Sequence, residues 1–501
     1  MNFPQGFLAK YQAQLSETDF DEFVQYCQKP LRKSIRVNTL KISVADFLQI
    51  AKEKDWELEQ IPWCESGFWI ERENREESLG NSIEHFLGLF YIQEASSMLP
   101  PEILNPQPNE IVLDMAAAPG SKTTQLAGKM QNQGVLVSNE PIVKRIKGMV
   151  SNLERLGASC AVVSRKEGQF FGENAPNFFD KILLDAPCTG EGTVRKDSKA
   201  LDNWSQENIE GMARLQKQLI KSAFEALKPG GEMVYSTCTL AKEENQEVIQ
   251  YLLQEFQGNA ELVPFFLVPL EKGDTGGLKP KEELQNPPNP LYQGGFNASG
   301  MFTVWPQLFD SEGFFVAKIR KNFKTEFEKP KKQNHFVSKY RVLRNNEIDL
   351  IQAVLVEQFG YIEKLVKNYK LYQKENQIYF CPKEIRSIDE KVYLERRGFE
   401  VGEFLHKRNG ATEFKINHLG ITLLGKDFTK NVLELSEEEV QKYLKGENIE
   451  LDSCLRRNDN LWGGVFPQDG LVVLKYRNVI FGKGLLKANS IKNQIPRYLI
   501  W

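Results

Sequence analysis

Ile182-Leu183-Leu184 is a short, fully apolar run bounded by charge, the pattern of a strand buried on both faces of a parallel sheet. It is one of a series. Ile111–Leu113, Val135–Val137, Ala161–Val163, Glu232–Thr239 and Phe314–Ala317 read as further strands. Helix-like segments lie between them at Thr123–Lys129, Pro141–Leu156 (closed by Gly157), Gln206–Leu227 and Lys242–Phe256. Strands alternating with helices predict an α/β fold built on a parallel, doubly wound sheet. In such a sheet, chemistry collects where the strands end at their carboxyl side. The strand 182–184 runs there into Asp185-Ala-Pro-Cys188-Thr-Gly190-Glu-Gly192.

A chain of 501 residues is too long for one small domain. Its pattern divides into a mixed region 1–105, the α/β domain 106–322, a polar Lys-rich linker 323–345, a small unit 346–430 and a β-rich unit 431–501. In the first region Ser82–Leu99 reads as one helix stopped by Pro100 and Pro101. Leu31–Lys41 interleaves Arg32, Lys33, Arg36 and Lys41 with strand-like residues, which reads as a solvated face, with phosphate contact as the alternative. The charge-free stretch Leu284–Phe309 is long enough for a membrane span, but its prolines and glycines make it a loop. The N-terminal residues lack an apolar core of signal-peptide length. Asp452–Gly464 fits neither period and reads as an inserted loop.

Seven cysteines, odd in number and without a Cys-x-x-Cys pair, argue against a disulfide framework or a metal site. A reducing cytoplasm and no membrane association are expected. The charge balance is near neutral, net −3, so it says little about partners. Its distribution says more: Leu471–Trp501 holds Lys475, Arg477, Lys483, Lys487, Lys492 and Arg497 and no acid. A basic end on a neutral chain is compatible with a local nucleic-acid contact.

The loop Asp114–Lys122 has no Gly-x-Gly-x-x-Gly, so it is poor in the glycine a pyrophosphate-binding turn needs. Ala116, Ala117, Ala118, Pro119 and Gly120 still admit a ligand close to the backbone, ahead of Ser121 and Lys122. Glu140, at the end of the next strand, is placed to accept from two ribose hydroxyls. Together these features suggest S-adenosylmethionine. Cys188 and Cys238 each follow one of two strands that are neighbours in a doubly wound sheet, so both thiols meet one cleft. Taken alone, the Pro-Cys turn makes Cys188 the candidate nucleophile. A thiolate adding to carbon 6 of a pyrimidine makes carbon 5 nucleophilic toward a methyl sulfonium, and an acid such as Asp185 can meet the ring edge where charge collects.

These motifs, with Arg36-Val-Asn-Thr39, Tyr91-Ile-Gln-Glu-Ala-Ser-Ser97 and Ser236-Thr-Cys238-Thr, resemble the Nol/Nop/Sun family of RNA cytosine-5 methyltransferases over residues 1–320. The resemblance implies a Rossmann-like class I methyltransferase sheet flanked by an N-terminal α/β RNA-binding region. It implies that Cys238 is the nucleophile, that Cys188 assists product release, and that S-adenosylmethionine lies against residues 116–122, Glu140 and Asp185. Where the family carries an acid near the adenine, this chain offers Glu167. The basic tail is similar to the PUA-like RNA-binding tail of bacterial members, its six cations expected on phosphates. The expected activity is methylation of a cytosine in small-subunit ribosomal RNA by a monomer. Transfer RNA as substrate, DNA as substrate and a non-catalytic assembly factor are the alternatives.

Overall fold

The computed structural model describes residues 3–73, 78–265, 270–272, 278–280, 300–325, 339–385, 388, 391–451 and 469–499. Its centre is a nine-stranded sheet, numbered here in chain order: β1 (Ile111–Asp114), β2 (Val135–Asn139), β3 (Ala161–Ser164), β4 (Phe179–Asp185), β5 (Leu227–Thr237), β6 (Ala260–Leu262), β7 (Met301–Val304), β8 (Phe314–Lys321) and β9 (Leu394–Arg396). The spatial order is β6-β8-β5-β4-β1-β2-β3-β9, with β7 also paired to β8. The strands β1 to β5 pair in parallel. Their apolar runs are fully buried because helices cover both faces, with Val112, Leu183 and Val234 in one core cluster and Leu113, Ile182 and Leu184 in another. The sheet is mixed, however, and not wholly parallel. β8 runs antiparallel to β5, because a chain returning through β7 re-enters beside its neighbour without a crossover helix. The ninth strand comes from the 346–430 region: β9 pairs antiparallel with the edge strand β3, Leu394 opposite Ser164.

Ser82–Leu99 is not one helix. A short helix Ile83–Phe86 leads to a strand Phe90–Ile92, and a new helix Leu99–Leu104 follows with Pro100 and Pro101 in its first turn. The prolines therefore start a helix, since their missing N–H groups would have no intrahelical partner there. The strand Phe90–Ile92 completes an antiparallel N-terminal sheet with Ser34–Val37, Trp56–Gln60 and Gly67–Arg72. Arg36 and Lys41 do not stand on a solvated face. Arg36 is 3% exposed and donates to Gln93, Ser121 O, Thr124 Oγ1 and Gln125 Oε1. Lys41 donates to Leu87 O and Arg155 O, both at 2.7 Å, and burial beside Arg155 pulls its ammonium down to about 7. Both cations fasten the N-terminal sheet to the central one.

The last third holds two small sheets. One contains Lys370–Lys374, Gln377–Cys381, Phe399–His406 and Thr412–Ile416; the other contains Gly470–Tyr476, Val479–Lys487 and Ser490–Asn493. The helix Glu437–Leu444 starts at Ser436 with a capping box, its side chain and Glu439 exchanging bonds with each other's backbone N–H. The C-terminal sheet packs back on the N-terminal one. Ile35, Val37 and Phe90 share a core cluster with Leu433, Tyr443 and Leu486, and Lys54 pairs with Glu437 at 2.9 Å. In the stretch read as a loop, 301–304 forms β7 and Pro306–Phe309 a helix, while 281–299 lies outside the described residues. Most of the linker and the whole 452–464 insertion also lie outside them. No helix among the described residues is long and apolar enough to cross a membrane.

Candidate active site

The parallel pairing of β4 with β5 sets Asp185 opposite Ser236, so the chain that leaves each strand carries its thiol into the same space. There Cys188 Sγ and Cys238 Sγ lie 3.2 Å apart, both partly buried and both free. The hydrogen bond with Cys238, together with burial, holds the Cys188 thiol well above the ordinary range. One of the two thiols donates to the other across this contact, and the environment disfavours a thiolate at Cys188. The loop between Asp185 and Gly192 is anchored by buried carboxylates. Glu191 accepts from Tyr11 Oη at 2.6 Å, from Thr239 Oγ1 at 2.9 Å and from the Trp204 indole. Glu244 accepts from Thr189 N at 3.1 Å and from Gln216 Nε2 at 2.7 Å. Gly192 must be glycine: a Cβ there would lie 2.0 Å from Gly313 O and 2.8 Å from Cys238 O.

Beside the thiols, Lys122 Nζ donates to Asp185 Oδ2 and to Ser97 Oγ, each at 2.8 Å, while Ser236 Oγ donates to Asp185 Oδ1 at 2.7 Å. Burial opposes the Lys122 charge, yet Asp185, with Cys238 and Asp114 nearby, keeps the ammonium above the usual lysine range. A carboxylate pinned on both oxygens is a fixed acceptor for a donor on a substrate ring.

The loop 114–122 forms the other wall. Gly120, at φ +102°, turns the chain into the helix Ser121–Lys129, whose first-turn N–H groups have no intrahelical acceptors. Ala117 and Ala118 line it with small side chains. Asp114 was not among the expected site residues. It is 1% exposed; Oδ2 accepts from Thr123 at 2.7 Å, but Oδ1 is buried with no partner. Burial pushes the carboxyl up to about 7, against the Thr123 bond and aided by Asp185. A buried acceptor without a donor is the fit expected for a ligand's ammonium. Its signal was legible as an acid ending a buried strand. Glu140, also 1% exposed, accepts from Ile142 N at 2.9 Å and pairs with Arg145, whose guanidinium also reaches Ala118 O. A carboxylate has about four acceptor positions, so two are left for hydroxyls. Asn139 ties this wall together, bonding Met115 O, Lys166 O and Lys166 N. Glu167, next in the loop after β3, is exposed. The structure thus gathers Asp185, Cys188, Cys238 and Lys122 tightly; Glu140 is linked to the small-residue loop through Arg145, while Glu167 is exposed in the loop after β3. This donor set fits S-adenosylmethionine.

Of the basic tail, three cations are engaged inside the protein. Lys475 pairs with Glu434 at 2.8 Å, Arg477 with Glu53, and Lys483 donates to Ile416 O at 2.9 Å. Lys487, Lys492 and Arg497 stand exposed. Charge in the sequence did not distinguish the two sets, because their acceptors lie in distant segments.

Fold and site define a class I methyltransferase with a two-thiol centre. Comparison with known proteins agrees along the whole chain. Residues 101–320 match the model of the 16S rRNA methyltransferase RsmB/F family, 3–95 that of the N-terminal domain of 16S rRNA methyltransferase RsmF, and 430–501 that of the methyltransferase RsmF PUA domain. The ribosomal RNA small subunit methyltransferase F of Vibrio campbellii is 40% identical over 99% of this chain and 97% of its own, and that of Vibrio vulnificus 41% over the same shares. A methyltransferase homolog from Pyrococcus horikoshii, of known structure, is 39% identical with a TM-score of 0.51, covering 62% of this chain and 92% of that one. The chain belongs to the RsmB/F family of S-adenosylmethionine-dependent methyltransferases.

Proposed function

We propose that this protein methylates carbon 5 of a cytosine in 16S ribosomal RNA, acting as a cytoplasmic monomer, with Cys238 as nucleophile. The 3.2 Å contact of Cys188 and Cys238 beside the Lys122–Asp185 pair carries this reading. The target base leaves its stack, at a cost of a few kcal/mol, and enters the cleft. The Cys238 sulfur adds to carbon 6, with the Cys188 sulfur 3.2 Å from it and the Lys122 ammonium in its electrostatic surroundings. The raised Cys188 pKa disfavours its thiolate, which speaks against the DNA-type use of the Pro-Cys thiol. Asp185 accepts from the exocyclic amino group and fixes the ring. S-adenosylmethionine, when bound, supplies the methyl group from a positively charged sulfur. Residues 116–122, Asp114 and Glu140 would hold it, with Glu167 near the adenine.

Cys188 owes its raised pKa first to Cys238. Once Cys238 is bonded to the ring, that influence is withdrawn and the Cys188 pKa falls, so its proton is released more readily. The thiolate that can accept the carbon 5 proton is then more populated at the step where that proton must leave and the carbon 6–sulfur bond must break. The exposed Lys487, Lys492 and Arg497 supply phosphate contacts on the C-terminal sheet. Tritiated methyl transfer tests the reading: 16S RNA or small subunits should accept label at cytosine, and Cys238→Ser should accept none. Equal labelling of transfer RNA would move the substrate assignment.

A further inference from the structure

Cys238 adding to carbon 6 pushes an electron pair to ring N3, and a proton must arrive there. Asp185 is badly placed to give one, since it accepts from Lys122 on one oxygen and from Ser236 on the other. A second acid stands nearby. Glu312 precedes β8 and is 5% exposed, and its Oε1 has no hydrogen-bond partner. The next residue, Gly313, donates its N–H to Gly192 O at 3.0 Å, and Gly192 N donates to Cys238 O at 3.0 Å. On its other side, Glu312 N donates to Glu94 Oε1 at 3.1 Å; Glu94 Oε2 accepts from Ser97 N at 3.1 Å, and Ser97 Oγ accepts from Lys122. Backbone hydrogen bonds thus tie the 312–313 segment to the nucleophile's loop, and a second path, through the Glu94 carboxylate and the Ser97 hydroxyl, ties it to the Lys122–Asp185 pair.

We propose that Glu312, backed by Glu94, is the acid that protonates cytosine N3 when Cys238 adds. This rests on the cytosine-5 reading above. The sulfur–carbon 6 bond forms, the ring pair moves to N3, and the Glu312 proton neutralises it. After carbon 5 has gained its methyl group and lost its proton, the carbon 6–sulfur bond breaks. The cysteine sulfur leaves with that bond's electrons, and the N3 proton returns to Glu312. The surrounding charges favour a stored proton. Burial, then Glu94, push the Glu312 carboxyl up to about 8, while Lys196 (Nζ 3.9 Å away), Lys122 and Arg195 act the other way.

Three variants test the proposal: Glu312→Gln, Glu94→Gln, and Glu312→Gln combined with Cys188→Ser. Single-turnover methyl transfer to 16S RNA is measured from pH 6 to 9.5, with KM for the cofactor and thermal melting in parallel. Glu312→Gln should slow transfer about 10²-fold or more with KM within twofold, and should remove the alkaline limb near pH 8. Glu94→Gln removes a charge that raises Glu312, so it should move that limb to lower pH. In the Cys188→Ser background the covalent adduct should form more slowly by the same factor. A wild-type rate in Glu312→Gln, a loss confined to KM, or an unmoved limb in Glu94→Gln would overturn the role. Should melting show Glu312→Gln unfolded, the limb in Glu94→Gln decides. If the wild type labels no cytosine, the parent reading fails and takes this one with it. If it does and Cys238→Ser does not, a wild-type rate in Glu312→Gln sinks Glu312 alone.

Discussion

The loops that leave β1 and β4 sit side by side at the same end of the sheet, yet they are finished in opposite ways. Around the loop after β4, the buried carboxylates Glu191, within it, and Glu244, from beyond β5, are supplied with donors from Tyr11, Trp204, Thr239, Thr189 and Gln216. After β1, Asp114 keeps a buried oxygen without any donor, and alanines replace larger side chains. A nucleophile must be held still before the substrate arrives, which favours complete satisfaction. A binding wall must keep part of its hydrogen-bonding capacity for the ligand. The contrast separates holding from receiving.

The largest effect should come from the held side. Cys238→Ser should lower methyl transfer to background in the tritium assay, while Cys188→Ser should leave a protein–RNA adduct visible as a shifted band on a denaturing gel. Absence of that band would deny the two thiols different roles.

On the receiving side, Asp114→Asn should raise the cofactor KM about tenfold, the loss of one charge-assisted bond. The wild type should also release up to one proton on binding near pH 6 and none at pH 8, read by calorimetry in buffers of different ionisation enthalpy. The sign follows from a carboxyl raised to about 7 in the free protein. A ligand ammonium favours its ionised form and expels the proton. For the same reason the free protein holds more protons than the unfolded chain between about pH 4 and 7. This group's stabilising contribution is full below that window and is lost as pH rises through it.

Tyr11→Phe removes one donor from buried Glu191 and should cost about 1–3 kcal/mol of stability, measured by denaturant unfolding. A far smaller cost would mean that the β4 loop is not held as tightly as its bonds suggest. The smallest effect concerns the C-terminal cations. Lys492→Ala should make the salt dependence of RNA binding shallower by about 0.7–0.9 in log–log slope. Lys475→Ala, already spent on Glu434, should leave it unchanged.

Much of the fold was legible because local patterns decide it. Apolar runs of strand length with intervening amphipathic segments dictate β1 to β5, and their right-handed crossovers make β4 and β5 neighbours. The antiparallel β8 was recognised as a strand but not in its direction, which depends on a return through β7. Leu394–Arg396 carries no mark that it will cap the edge of a sheet more than two hundred residues earlier in the chain. Pro100 and Pro101 were misread because a proline pair stops one helix and opens another with equal local logic.

The sequence by itself determined the alternation of strands and helices, the order of the two thiols, and the small-residue turn after β1. These follow from periodicity and chain adjacency, which act over a few residues. Only the tertiary structure decided where each charge ends. Arg36 and Lys41 became buried fasteners, Lys475 and Arg477 internal partners, and Asp114 and Glu312 acids with an oxygen left over. A charged side chain is stable in the interior only if distant segments bring it partners, and the free energy of that meeting is set by three-dimensional packing that no local window contains.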